Sequence, residues 1–288
     1  MNAPVPLPDS LCFTHEAMNT TFTLRLYGAD PAQLAAVARE GFERIDHLEA
    51  HLSRFIDTSE ISQINHLRAG DTLYLTDDCH QCLLAAMQAY AETGGLFDVT
   101  LGTAIEHRKA GLANPPPAPA GKLIIHPDVA AITCEAPGRS LDLGGIAKGF
   151  ALDQLRALFT EWDAAPGGLL AAGASSLLAY GPQPWPIELP ARDGPVWLAL
   201  QDEALSASGT EMQGSHIVHP YSAEETPDYL GQRVWVVAAT ATDAEIWSTA
   251  LMLMTPADAA ACLPEVPIIS RAYAELDGCL RPLKTSPA

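Results

Sequence analysis

Apolar residues recur along the chain with two different periods, and these predict strands and helices in alternation. Apolar and polar side chains alternate over 11–26, which predicts a pair of strands. Over Pro31–Leu52 the apolar positions recur every three or four residues, which predicts a long helix. The same spacing over 77–93 predicts a second long helix, ended by Gly94 and Gly95. Helices and strands therefore share the first third of the chain.

Shorter elements connect and follow these two helices. Thr58 or Ser59 is suited to the N-cap of a short helix that ends near Asn65. GDTLYLT predicts a short strand, and LIIHP and AAITCEA predict paired strands. Later, GGLLAAGASSLLAYG predicts a buried strand broken by small residues, and RVWVVAATATDAEIWSTALMLM predicts a strand followed by a helix. No repeat or linker divides the sequence, so we expect a single domain over 1–288 with a flexible segment at 1–12.

The stretch LDLGGIAKGFALDQL, residues 141–155, has the pattern of a strand that turns through glycines into a helix. Gly144 and Gly145 allow a close backbone approach, the following helix presents free N–H groups, and Lys148 adds a positive charge. These features suit a phosphate or pyrophosphate group. An ordinary strand–turn–helix connection with a surface lysine is equally compatible, because neither GxxxxGK[ST] nor GxGxxG is present.

Composition limits the partners that we expect. The 288 residues are 48% hydrophobic and 18% charged, which is typical of a globular chain with a large core. The formal net charge of −19 argues against nucleic acid or an anionic membrane, since both attract a positive surface. No run of about 18 apolar residues occurs, so no integral membrane segment is expected.

The sequence also suggests a location. MNAPVPLPDSLCF has neither the basic and apolar regions of a signal peptide nor a lipid-attachment cysteine after them. We therefore expect a cytoplasmic protein for the chain as it stands, and a periplasmic one if the natural chain begins before Met1. Cys79 and Cys82 form a CxxC on a predicted helix without a second metal-binding pair, which favours a structural role for both.

Several polar residues occur where a core would be apolar. Asp98 lies between Phe97 and Val99, and Asp142 lies inside LDL, so each needs a specific donor or backbone N–H groups. In HIVHP, His216 or His219 is suited to act as a base toward a ligand, but an extended segment would separate the two as metal ligands.

Glu245 and Thr249 are four residues apart on a predicted helix and share one face. Their oxygens suit Mg²⁺ or Ca²⁺. The alternative is an acid that stabilises the helix N-terminus beside a threonine bonded to a preceding carbonyl.

These pieces occur in a characteristic order. They are Met18-Asn19-Thr20, FIDTSEIS at 55–62 with Asn65, TGGLFDVT at 93–100, LDLGGIAKGFALD at 141–153, AGASS at 172–176, SASG at 206–209, HIVHP at 216–220, and Glu245 with Thr249. In this order they resemble the ApbE family of FAD:protein FMN transferases, and the likeness extends from about Met18 to Met254.

The resemblance implies an enzyme that depends on Mg²⁺ and uses FAD as its substrate. Such an enzyme cleaves the FAD pyrophosphate, transfers FMN to a Thr or Ser hydroxyl of an acceptor protein, and releases AMP. The implied fold class is α+β, with mixed sheets packed with helices around a central flavin cleft.

The resemblance also implies a role for each matching residue. The Mg²⁺ ligands would be the Gly145 carbonyl and the side chains of Glu245 and Thr249. His216 and Lys148 would be catalytic, His216 as base toward the acceptor hydroxyl and Lys148 on the pyrophosphate. Cofactor-binding residues would be Met18, Asn19, Phe55, Asn65, Asp98, Lys148, Gly173, Ser175 and His216, with Asp98 at the adenine end.

The sequence departs from the family pattern at three places. Glu245 replaces the usual aspartate, which moves the carboxylate by roughly one ångström in a site where Mg²⁺ demands near-ideal geometry. Gly173-Ala174-Ser175 replaces Gly-Gly-Asp, and Asn19 replaces a glycine. Two alternatives therefore stay open: a non-catalytic FAD-binding or maturation protein, and a metal-dependent FAD pyrophosphatase that yields FMN and AMP.

Overall fold

A computed structural model describes residues 9–112, 119–161, 165–192, 194–209, 218–221 and 233–285. They form two compact units, each with a sheet of its own. The first unit contains the described parts of 9–46, 148–209 and 233–285, and the second those of 47–147 and 218–221. The single domain over 1–288 stays a prediction.

Thirteen strands and seven α-helices are formed by the described residues. The strands are β1 (Leu11–Ala17), β2 (Thr20–Tyr27), β3 (Thr72–Tyr74), β4 (Lys122–His126), β5 (Ala131–Ala136), β6 (Gly167–Ala172), β7 (Ser176–Tyr180), β8 (Trp185–Leu189), β9 (Val196–Leu200), β10 (Ala204–Gly209), β11 (Arg233–Ala238), β12 (Ile269–Leu276) and β13 (Cys279–Lys284). The helices are α1 (Pro31–Leu52), α2 (Glu60–Asn65), α3 (Asp77–Glu92), α4 (Gly102–Lys109), α5 (Ala147–Thr160), α6 (Ala241–Met252) and α7 (Pro256–Cys262).

The first unit is built on an eight-stranded sheet with the order β1-β2-β6-β7-β10-β11-β12-β13. Its neighbouring strands are all antiparallel. In the described part of the chain the one parallel pairing is an isolated bridge between Leu101 and Ser140. The expected mixed sheets are therefore antiparallel ladders with helices packed on them.

The two faces of this sheet are covered by different elements. Helix α6 packs on β7, β10 and β11, over side chains that include the fully buried Leu178 and Val234. On the opposite face, Trp235 and Val237 of β11 join the cluster formed by Trp185 and its neighbours from the β8–β9 hairpin. Alternation along each strand produces this division, since successive side chains point to opposite faces.

The second unit contains the three-stranded sheet β3-β5-β4 and the helices α2, α3 and α4. Ser59 caps α2, since its Oγ accepts a hydrogen bond from Ser62 N at 3.0 Å, as the sequence predicts. Cys79 and Cys82 on α3 are fully buried, and neither forms a disulfide with another described residue. The pKa of the Cys79 thiol is raised, mainly by burial. A buried thiol with a raised pKa is unreactive, which fits a structural role.

Two expectations about local structure need correction. The segment 141–143 is not a strand, because Leu141 N donates to Asn65 Oδ1 and Asp142 N donates to Val99 O instead of pairing with a neighbouring strand. The flexible segment expected at 1–12 overlaps β1, where Leu11 and Cys12 pair with β2. No helix in the described ranges is long and apolar enough to cross a membrane.

Asp153 of α5 caps the N-terminus of α6. Its carboxylate accepts hydrogen bonds from Ala241 N, Thr242 N and Thr242 Oγ1 at 2.9, 2.9 and 2.6 Å. Burial raises the pKa of this carboxyl, while the bonds from Thr242 and Ala241 and the charge of Arg156 act in the opposite direction. The side chain of Asp153 therefore holds the start of α6 against α5.

We expect Asp153→Ala to lower the free energy of unfolding by about 1–3 kcal/mol, because it leaves the two N–H groups of α6 without their acceptor. Urea unfolding measures the loss. Asp258→Ala is the matched control, since Asp258 pairs with Thr255 at the start of the exposed helix α7. Equal losses in the two variants would contradict the assigned role of Asp153.

Candidate active site

Two tight turns lie at the same end of the eight-stranded sheet. The first joins β1 to β2 through Met18 and Asn19, whose φ angles of 51° and 55° are both left-handed. Such a pair suits a two-residue hairpin, and asparagine tolerates it better than most residues. Non-glycine residues with positive φ are uncommon and are found in functional sites, so Met18 is a candidate ligand contact.

The second turn joins β6 to β7 through residues 173–175. Gly173 has φ +62°, and a Cβ on it would lie 2.5 Å from Thr20 Oγ1. The two turns are therefore neighbours, and glycine is required at their closest approach. Ser175 follows, half-buried, with its carbonyl bonded to Ala207 N at 2.8 Å.

Helices α5 and α6 approach each other very closely. A Cβ on Gly149 would lie 2.4 Å from the Ala241 carbonyl oxygen, so only glycine fits there. One residue before, Lys148 extends its ammonium to 3.5 Å from Glu245 Oε1. The Lys148 side chain is 20% exposed and that of Glu245 is 5% exposed. The close approach of the helices therefore places a lysine beside a buried carboxylate.

The two oxygens of Glu245 have different surroundings. Oε1 accepts a hydrogen bond of 2.5 Å from Ser176 Oγ, besides its contact with Lys148. Oε2 is buried and has no hydrogen-bond partner among the residues that the structure describes. A buried carboxylate oxygen without a donor is costly unless a cation or ligand group balances it.

Thr249 lies one turn further along α6. Its Oγ1 is 3.2 Å from Ser208 Oγ, and Ser208 is also 2.8 Å from Ser248 Oγ. A carboxylate oxygen with an unused lone pair and a threonine hydroxyl on one helix face are hard oxygen donors. These residues fit Mg²⁺ by the chemistry of their donors, and Oε2 of Glu245 is the atom that most needs a cation.

The second unit carries the Gly144-Gly145 turn. Asp142 Oδ1 accepts from Gly144 N at 2.8 Å, and its Oδ2 accepts from Arg54 Nη1 at 3.1 Å. The ring of Phe97 lies 3.3 Å from the position that a Cβ on Gly145 would take. The donors expected for Asp142 are thus a backbone N–H and a guanidinium, and together they fix the turn.

Three other predicted residues of this unit have distinct surroundings. Asp98 is half-buried, less than its sequence suggests, and its Oδ1 accepts from Thr100 N and Thr100 Oγ1. Asn65 bonds through its side chain to the N–H and the carbonyl of Leu141. Phe55 is 77% exposed, with the Arg54 guanidinium 5.7 Å from its ring centroid. Such an exposed aromatic ring is available to stack on a planar ligand.

His216 lies outside the described residues. His219 is described, and burial lowers the pKa of its imidazole. Its Nδ1 accepts from Tyr221 N at 3.2 Å, and the Tyr221 hydroxyl donates to the Gly94 carbonyl. Within the part of the chain that the structure describes, no group of three or more His, Cys, Asp and Glu side chains is placed to hold a metal ion.

The structure adds contacts that the sequence did not predict. Ser176 and Ser208 contact the predicted ligands Glu245 and Thr249, and Arg54 contacts Asp142. Both serines belong to quoted motifs, AGASS and SASG, but the motifs alone do not indicate which side chains of the helix they contact. No sequence signal indicates Arg54, because its pairing with Asp142, 88 positions away, depends on the tertiary structure.

The described residues form an α+β protein with a lysine beside a buried carboxylate where α5 and α6 meet. The model of the ApbE family matches residues 18–269. The chain is 23% identical over 279 residues to an FAD:protein FMN transferase of Salmonella typhimurium, with 86% of this chain and 79% of the relative covered. With this match over most of its length, the chain belongs to the ApbE family.

Solved structures agree with the fold. The apo flavinyl transferase ApbE of Pseudomonas stutzeri is similar with a TM-score of 0.82 and 24% identity, covering 95% of this chain and 94% of that one. The ApbE protein of Thermotoga maritima is similar with a TM-score of 0.81 and 20% identity, covering 95% and 97%. The predicted α+β fold class and the predicted family are thereby confirmed.

We expect Gly149→Ala to lower the free energy of unfolding by about 1–3 kcal/mol, because its methyl group meets the Ala241 carbonyl. The loss should appear although alanine is favoured over glycine in a helix by about 1 kcal/mol. Urea unfolding measures it.

Thr160→Ala, at the exposed end of the same helix, is the control and should change stability by no more than about 0.5 kcal/mol. A Gly149→Ala protein as stable as the original would show that α5 and α6 are not in close contact.

Proposed function

We propose that this protein is an FAD:protein FMN transferase that uses Mg²⁺. Its membership of the ApbE family and its likeness to a relative of that name support the activity. The observation that carries the metal requirement is the buried Oε2 of Glu245, which has no donor among the described residues although Lys148 lies beside Oε1. A carboxylate with one buried oxygen that receives no hydrogen bond is suited to bind a cation.

The proposed ligands of Mg²⁺ are Glu245 through Oε2, the Thr249 hydroxyl and the Gly145 carbonyl. When bound, the ion supplies positive charge to the pyrophosphate of FAD, whose cleavage requires charge neutralisation more than a strong nucleophile. Lys148 binds a phosphate oxygen and orients the pyrophosphate. This placement gives an anionic substrate a local positive field within a chain of net charge −19.

The flavin half of FAD is proposed to contact Met18, Phe55, Gly173 and Ser175, with Asp98 toward the adenine. Asn19 and Asn65 are further proposed FAD contacts. In the transfer, the acceptor Thr or Ser oxygen forms a bond to the phosphorus of FMN, and the bond from that phosphorus to the AMP oxygen breaks. The acceptor proton passes to a base, for which His216 is proposed. FMN is then covalently attached, and AMP leaves.

The two alternatives give different products. A non-catalytic FAD-binding protein would keep FAD intact and release no AMP. A pyrophosphatase would release AMP and free FMN without any acceptor. An incubation of the protein with FAD and Mg²⁺, with and without an acceptor peptide, followed by separation of FAD, FMN and AMP, distinguishes all three.

We expect Lys148→Ala to slow FMN transfer by about 100-fold or more, since it removes a preorganised positive charge from the phosphate. The rate of fluorescent labelling of the acceptor peptide measures the effect. Lys109→Ala removes an exposed lysine of α4 and is the matched control, expected to retain the full rate. Similar rates in the two variants would rule out the phosphate role of Lys148.

A further inference from the structure

Three serines lie on the sheet face that α6 covers. Ser176 of β7 and Ser206 of β10 are register partners, and Ser208 is two residues further along β10, on the same face. Ser176 and Ser206 are 1% and 3% exposed. Apolar side chains usually fill such an interface, as Leu178 and Val234 do beside them. Three hydroxyls at this interface therefore point to a specific use.

The serines differ in what they contact on α6. Ser176 donates to Glu245 Oε1, and Ser208 lies within hydrogen-bond distance of Thr249 Oγ1. Ser206 is bonded to Ser248 Oγ at 3.3 Å and contacts neither of these side chains in the hydrogen bonds that the structure describes. Two serines thus orient side chains proposed as ligands, and the third is a neighbour of the same kind.

The bond from Ser176 restricts how Glu245 can meet a cation. Ser176 and Lys148 both engage Oε1, and Oε2 is the oxygen without a partner among the described residues. A carboxylate held in this way offers one oxygen. Mg²⁺ takes single oxygens at about 2.0–2.1 Å in a strict octahedron, whereas Ca²⁺ is larger and readily takes both oxygens of a carboxylate.

We propose that Ser176 is a positioning residue that sets the metal preference of the site: by holding Oε1 it confines Glu245 to ligation through Oε2 and favours Mg²⁺ over Ca²⁺. The inference rests on the proposed function, because it takes Glu245 to be a metal ligand. It also explains how the longer glutamate is made rigid enough for Mg²⁺, since a serine fixes the extra rotatable bond.

The test is the cation preference of the Ser176→Ala protein. With FAD present and no acceptor, Mn²⁺ binding to the full chain is followed by electron paramagnetic resonance, and Mg²⁺ and Ca²⁺ are used as competitors. A titration of FAD alone is subtracted. We expect Mg²⁺ affinity to fall about tenfold and the preference for Mg²⁺ over Ca²⁺ to fall by a similar factor, the scale on which outer hydrogen-bond partners act.

Two further variants show whether the effect of Ser176→Ala comes from the lost hydrogen bond. Ser176→Cys preserves the approximate volume but donates weakly, so its preference should shift in the same direction. Ser206→Ala removes a buried hydroxyl from the same sheet face and should leave the preference unchanged. Urea unfolding of each variant separates loss of folding from loss of orientation.

The outcomes separate two failures. If the original chain binds no divalent cation, the metal role in the proposed function fails, and this inference fails with it. If the chain binds Mn²⁺ but Ser176→Ala keeps the cation preference of Ser206→Ala, only the role of Ser176 is overturned.

Discussion

A buried carboxylate is the constraint on which the candidate site depends. Glu245 is a buried residue of α6, with one oxygen held by Ser176 and Lys148 and the other without a donor in the described part of the chain. Removing a charge from water costs several kcal/mol unless partners balance it. The glycine contact at Gly149 and the cap supplied by Asp153 hold α5 and α6 together, so the lysine stays beside the acid. The contact between α5 and α6 therefore determines where both charged groups lie.

The proposed site would also allow an acidic chain to bind the FAD pyrophosphate, which carries two negative charges. A net charge of −19 repels phosphates at long range, and salt weakens that repulsion beyond about 10 Å. Local groups then decide binding. In the proposed function, Lys148 and a cation on Glu245 would supply attraction within a few ångströms of the phosphate, where charges act most strongly.

Much of the fold, and the family, could be predicted from the spacing of apolar residues and the order of the motifs. The helix Pro31–Leu52, the cap at Ser59 and the family followed from local patterns, and each is confirmed. The strand expected at 141–143 was wrong because a distant side chain, Asn65, takes its backbone bonds. The contacts of Ser176 and Arg54 were not predicted for the same reason, since their partners are 69 and 88 positions away. The roles of the site residues stay predictions.

The most direct measurement is the intact mass of an acceptor peptide bearing a threonine, after incubation with the protein and FAD, in Mg²⁺ and in EDTA. We expect the peptide to gain one FMN group, with one AMP released per group, in Mg²⁺ and not in EDTA. An unmodified peptide beside intact FAD, or beside free FMN and AMP, would contradict this expectation.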